Sequence, residues 1–137
     1  MDIKELRIGN TVMCQCRGEY KPHTIKSIWY NDEEKLYYVE LDNGFQCNIN
    51  GITPIPITEE LLLKIGFERN NDMPPYILDL DKGRRVYMFK NTYGWILQYV
   101  RYGVGYDETV SKNIVMFVHQ LQNAYYLATG KELEIKL

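Results

Sequence analysis

His119, Gln122, Asn123 and Tyr126 are the first residues whose types and spacing could do chemistry. They recur at intervals of three and four, so a helix would put an imidazole, two carboxamides and a phenol on one face. Imidazole serves as a general acid or base when a carboxylate orients it or a nucleophile lies beside it, and this stripe holds neither. The four residues therefore read as a candidate interaction face, hydrogen-bonded against the first half of the chain or against a second copy. Charge supports that reading, because no Asp, Glu, Lys or Arg occurs from Asn113 to Gly130. A helix face left to water normally collects Lys and Glu.

A second set is basic and aromatic. Lys82, Arg84, Arg85, Lys90 and Arg101 interleave with Tyr87, Phe89, Trp95, Tyr99 and Tyr102. Cationic grooves with aromatic platforms hold single-stranded nucleic acid without reading its sequence, so Arg84, Arg85, Lys90, Trp95, Tyr99 and Arg101 form a candidate nucleic-acid surface. On a strand, Trp95, Leu97, Tyr99 and Arg101 share one face and Ile96, Gln98, Val100 and Tyr102 the other. If a helix covers one face, the other stays open for a partner.

Cys14, Cys16, Cys47 and His23 are the residues closest to a zinc ligand set. Structural zinc takes four thiolates or imidazoles, with two to four residues inside each cysteine pair. Here one residue separates the pair, which on a strand leaves the two sulfurs about 7 Å apart on one face. The plainer reading is three small buried hydrophobes, and no metal is assigned. Gly103-Val104-Gly105-Tyr106 lacks both the third glycine of the dinucleotide fingerprint and the Gly-Lys-Ser/Thr of the P-loop, so it reads as a connector. No catalytic residue and no cofactor are assigned, and the chain is expected not to be an enzyme.

The elements that must position these residues follow from turn chemistry and periodicity. Thr11 to Arg17, Thr24 to Tyr30, Leu36 to Leu41 and Phe45 to Ile49 read as strands, the last two joined by Asp42-Asn43-Gly44, a strong hairpin signal. Short strands with tight turns and no helix between them predict a small curled barrel over residues 1–57. Pro54-Ile55-Pro56-Ile57 is an extended seam. Thr58 caps a helix over Glu59 to Ile65, with two acids in its first turn and Gly66 after it. Tyr76 to Leu80, Arg85 to Lys90 and Trp95 to Tyr102 then form a three-stranded meander. The Asn113 to Thr129 helix packs on it through the stripe Ile114, Phe117, Val118, Leu121, Tyr125 and Ala128, and Glu132 to Leu137 is expected as a short tail strand. The fold class is α+β: an SH3-like small β-barrel, then an α-β-β-β-α part (residues 58–137) sharing a core with it.

The chain has 137 residues, a formal net charge of −2 and an odd number of cysteines, three. That length suits one domain or two very small ones, and the charge offers nucleic acid no general attraction. A start without a basic, apolar leader, together with cysteines that suit a reducing compartment, predicts a cytoplasmic chain. His119, Gln122 and Asn123 interrupt the uncharged run too often for a membrane span.

Three segments together carry a resemblance. They are Glu5-Leu6-Arg7-Ile8-Gly9-Asn10; Pro54-Ile55-Pro56-Ile57-Thr58-Glu59-Glu60-Leu61-Leu62-Leu63-Lys64-Ile65-Gly66-Phe67; and Val118-His119-Gln120-Leu121-Gln122-Asn123-Ala124-Tyr125-Tyr126 with Thr129-Gly130-Lys131-Glu132-Leu133. In this order they resemble a family of small uncharacterised proteins of Bacteroides-type gut bacteria and their phages and integrated elements. The Ile8-Gly9-Asn10 lead also resembles the first strand of SH3-like modules. The family implies no particular activity. The leading expectation is a non-enzymatic adaptor acting by protein–protein contact, including self-association as a homodimer. The alternative is a nucleic-acid-associated accessory protein of a phage or mobile element.

Overall fold

A computed structural model of the chain describes residues 1–81, 83–102 and 107–137, and of Asp107 the backbone alone. The fold is α+β, with two five-stranded antiparallel sheets and two α-helices among the described residues. Contacts divide the chain into two units, residues 1–56 with 117–123 and residues 57–116 with 124–137.

The first unit contains β1 (Thr11–Cys16), β2 (Glu19–Asn31), β3 (Leu36–Leu41), β4 (Gln46–Asn48) and β5 (Ile52–Thr53), ordered β4-β3-β2-β1-β5. Arg17 and Gly18, with φ of 53° and 81°, close the first hairpin in the left-handed conformation that a two-residue turn demands. Strand β2 serves two partners. Its residues up to Thr24 pair with β1 and those from Ile25 pair with β3, with a register slip between Ile25 and Ser27. Such slips bend a strand and increase its twist. The sheet curls far enough that Cys14 Sγ of β1 lies 3.9 Å from Cys47 Sγ of β4, although two strands separate them in the order. The result is a half-barrel whose interior holds Val12, Ile25, Val39, Leu41 and Ile52.

The second unit opens with α1 (Glu59–Ile65). Thr58 Oγ1 accepts the Leu61 amide at 3.2 Å, and Gly66, at φ 121°, ends the helix in a conformation that disfavours a Cβ. Its sheet is β10-β9-β8-β7-β6, built from β6 (Glu68–Arg69), β7 (Tyr76–Asp79), β8 (Arg84–Asn91), β9 (Gly94–Tyr102) and β10 (Asp107–Val115). Helix α2 (Val118–Thr129) gives residues 118–123 to the first unit and 124–129 to the second.

Three expectations are corrected. The meander has five strands rather than three, because β6 and β10 extend it on either side. Asn113, Ile114 and Val115 are not the first turn of the helix: they pair with Leu97, Ile96 and Trp95, and Ile114 is exposed rather than part of a buried helical stripe. β-branched residues suit that pleated edge. The helix starts at Val118, where Gln120 Oε1 reaches back to accept the Phe117 amide at 3.2 Å, as the distal half of a capping box does. Residues 132–137 form no strand, although Leu133 is buried.

Strand β9 lies inside the sheet, between β10 and β8, and is buried through Trp95, Leu97 and Tyr99 on one face and Ile96 and Val100 on the other. Leu97 is fully enclosed. Leu97→Ala should therefore cost about 2–5 kcal/mol in urea unfolding, the range for a core leucine that leaves a cavity.

Candidate functional site

The uncharged face of α2 is covered by the chain's own N-terminal segment, within the first unit. Gln122 and His119 are only 2% and 1% exposed. Gln122 Oε1 accepts the Thr11 amide at 2.8 Å, and its Nε2 donates to the Gly9 carbonyl at 3.3 Å and to Thr11 Oγ1 at 3.4 Å. Asn123 Nδ2 donates to the Glu5 carbonyl at 2.6 Å, while its Oδ1 accepts from Asn10 Nδ2 at 2.8 Å and Arg7 Nε at 3.2 Å. The Ile8-Gly9-Asn10 lead is thus a turn held by helix amides, with Gly9 at φ 96°. Of the two partners the sequence left open for this face, the first half of the chain occupies it. Tyr126, the fourth residue of the stripe, is exposed.

His119 Nε2 lies 3.3 Å from Glu5 Oε2, its Nδ1 is buried without a partner among the described residues, and its ring stacks on Phe117. Burial holds its pKa below the ordinary 6.5, against the opposing pull of Glu5.

The cysteines do converge. Cys16 Sγ donates to Cys14 Sγ at 3.1 Å, and Cys14 Sγ is 3.9 Å from Cys47 Sγ. Burial raises all three thiol pKa values, that of Cys16 to about 11, so they keep their protons at neutral pH. His23 is engaged elsewhere, its Nδ1 2.8 Å from Asp42 Oδ1. Among the described residues, no group of three or more such side chains is arranged to hold a metal ion.

The pleat separates the basic and aromatic residues. Arg84, Lys90, Trp95, Tyr99 and Arg101 share one face of the second sheet, while Arg85 lies on the other, beside Asp79 (Nε–Oδ1 2.5 Å) and over the Tyr102 ring. Trp95 and Tyr99 are buried, so neither ring offers a face to a nucleobase. The opposite face is not open either, being closed at Ile96 and Val100. Lys82 and the stretch Gly103-Val104-Gly105-Tyr106 lie outside the described residues, and the described chain after them is strand β10 rather than a helix.

The second unit also holds an aromatic concavity that no sequence motif marks. A cleft of about 480 Å³ is lined by Ile57, Met73, Pro75, Tyr76, Phe89 and Trp95, with Thr58, Glu59 and Lys90 among them. Trp95 and Tyr76 meet edge to face at 5.7 Å, and Trp95 Nε1 donates to the Ile57 carbonyl at 3.2 Å. Glu59 is neutralised by Arg69, with Nη1 2.5 Å from Oε1. Burial, and then the bond to Glu59, raise the Tyr76 phenol pKa. Lys90 stands over Trp95 at 5.8 Å, without an ion pair among the described residues. Size, apolar walls and few polar groups are what a binding cleft needs. A second cleft of about 170 Å³ is lined by Leu80, Asp81, Arg84, Tyr99, Tyr125, Thr129 and Lys131.

Comparison with family models, with curated proteins and with solved structures finds no match to this chain. Among the described residues, no helix is long and apolar enough to cross a membrane.

Two outcomes follow from the helix face. Asn123→Ala strands two donors and a carbonyl and should cost about 1–3 kcal/mol in denaturant unfolding. Because His119 binds its proton less tightly in the folded chain than in the unfolded one, its contribution is complete above pH 6.5 and is lost as pH falls below that value. Thermal melts of His119→Gln should therefore fall less steeply below pH 6.5 than those of the parent.

Proposed function

We propose that the protein is a non-enzymatic binding module that works by protein–protein contact, with the aromatic cleft of its second unit as the contact site. The observation that carries this reading is the meeting of Tyr76, Phe89 and Trp95 with the exposed Met73 around one concavity, where an apolar side chain of a partner can be buried. Aromatic residues and Met are enriched at the centres of protein interfaces for this reason. Met73 is 73% exposed, so the cleft has an unfilled apolar rim. The curled sheet of the first unit supports an SH3-like reading of that half. The resemblance to proteins of gut bacteria and their phages supports a cytoplasmic setting in a phage or integrated element. Self-association falls to surfaces other than His119, Gln122 and Asn123.

The alternative, an accessory protein associated with nucleic acid, rests on the exposure of Arg84, Lys90 and Arg101 on one sheet face. With Trp95 and Tyr99 buried, such contact would track phosphates rather than stack bases.

Two measurements separate the readings. Met73→Asp, at an exposed position, should leave the melting temperature unchanged yet remove a protein that the parent recovers from its native extract; identical recoveries would sink the cleft reading. Single-strand DNA binding measured at two salt concentrations addresses the alternative. Phosphate contact predicts weaker binding at higher salt, and no binding at low salt ends it.

A further inference from the structure

The smaller cleft in the second unit has the chemistry of an anion site. In register across β8 and β9, Arg84 and Arg101 are Cα partners on the same sheet face, both exposed. Like charges set directly opposite on a sheet destabilise it, so such a pair calls for a counter-charge. Lys131, also exposed, adds a third cation to the cleft. The described chain supplies none of the three with an ion pair: Asp81 lines the cleft and Glu108 stands in register with Arg101, but neither closes to ion-pair distance.

The floor of the cleft is made of hydroxyls. Tyr99 and Tyr125 are 4% and 7% exposed, and Thr129 lies beside them. Tyr99 lines the cleft, where its phenol can donate to an entering acceptor. The Thr129 hydroxyl already donates to the Tyr125 carbonyl at 2.8 Å, so the phenols are the hydroxyl donors left to a ligand, and phenols beside guanidinium and ammonium groups suit a compact oxyanion with several acceptor oxygens.

We propose that this cleft binds a phosphate group, with Arg84 and Lys131 supplying charge, the Tyr99 hydroxyl a directed donor, and Arg101 a flanking cation. Asp81 opposes the anion and sets a ceiling on affinity. The site is independent of the aromatic cleft, so either can fail without the other.

The test is a titration of the full chain with inorganic phosphate at constant ionic strength, followed by amide chemical shifts. Saturable shifts at Tyr99, Tyr125, Thr129 and Lys131 are expected. Arg84→Gln and Lys131→Gln should each weaken binding about tenfold, the loss expected for one charged hydrogen bond. Tyr99→Phe should weaken it less, and Asp81→Asn should strengthen it. Lys131 is exposed, so its variant decides the matter even if Arg84→Gln fails to fold. A mononucleotide that binds more tightly than phosphate identifies the group as one end of a larger ligand; equal affinity identifies phosphate alone. No saturable shift at these residues, or equal affinity in parent and charge variants, overturns the proposal.

Discussion

Two side-chain amides on one helix hold the N-terminal segment of this protein. The turn preceding β1 exposes backbone groups that sheet pairing cannot reach, and Gln122 and Asn123 meet three of them: the Thr11 amide and the carbonyls of Gly9 and Glu5. Buried backbone groups without partners are costly, so these amides do for the turn what a neighbouring strand does elsewhere. A carboxamide suits the task because it donates and accepts at once without carrying charge into a buried site. Lys or Glu in place of Gln122 would bury an ion. The absence of charge at Gln122 is therefore a consequence of what the helix touches there.

The same exclusion of charge explains His119. Enclosed beside Phe117, with one ring nitrogen unpartnered among the described residues and the other near Glu5, it is held toward the neutral form by burial. A catalytic imidazole needs access as well as an orienting partner; Glu5 lies near enough to orient this ring, but at 1% exposure the ring is closed to solvent. Its place is in the packing of the first unit.

Much of the fold was legible. The Thr58 cap, the Glu59–Ile65 helix and the Gly66 stop coincide with their signals, because capping depends on neighbours a few residues away. The grouping of Trp95, Leu97, Tyr99 and Arg101 on one strand face also holds, since alternation is local. Strand β10 was hidden because an edge strand needs little apolar alternation: Glu108, Thr109, Lys112 and Asn113 are exposed, and a register shift between Thr109 and Ser111 breaks the period. Ile114 fitted a helical stripe by spacing, yet it pairs with Ile96. Neither cleft was legible, because each draws on segments with no local relation. Met73, Phe89 and Trp95 meet around one, Arg84, Tyr125 and Lys131 around the other, and no periodicity connects them.

The most direct test of the amide clamp is hydrogen exchange at the Thr11 amide, whose acceptor is the Gln122 side chain. In the parent protein that amide should exchange slowly, and in Gln122→Ala it should speed up while the β8 and β9 amides, paired by the sheet alone, stay unchanged. A Thr11 amide that exchanges at the rate of an open chain in the parent, or equally slowly in both proteins, contradicts the account.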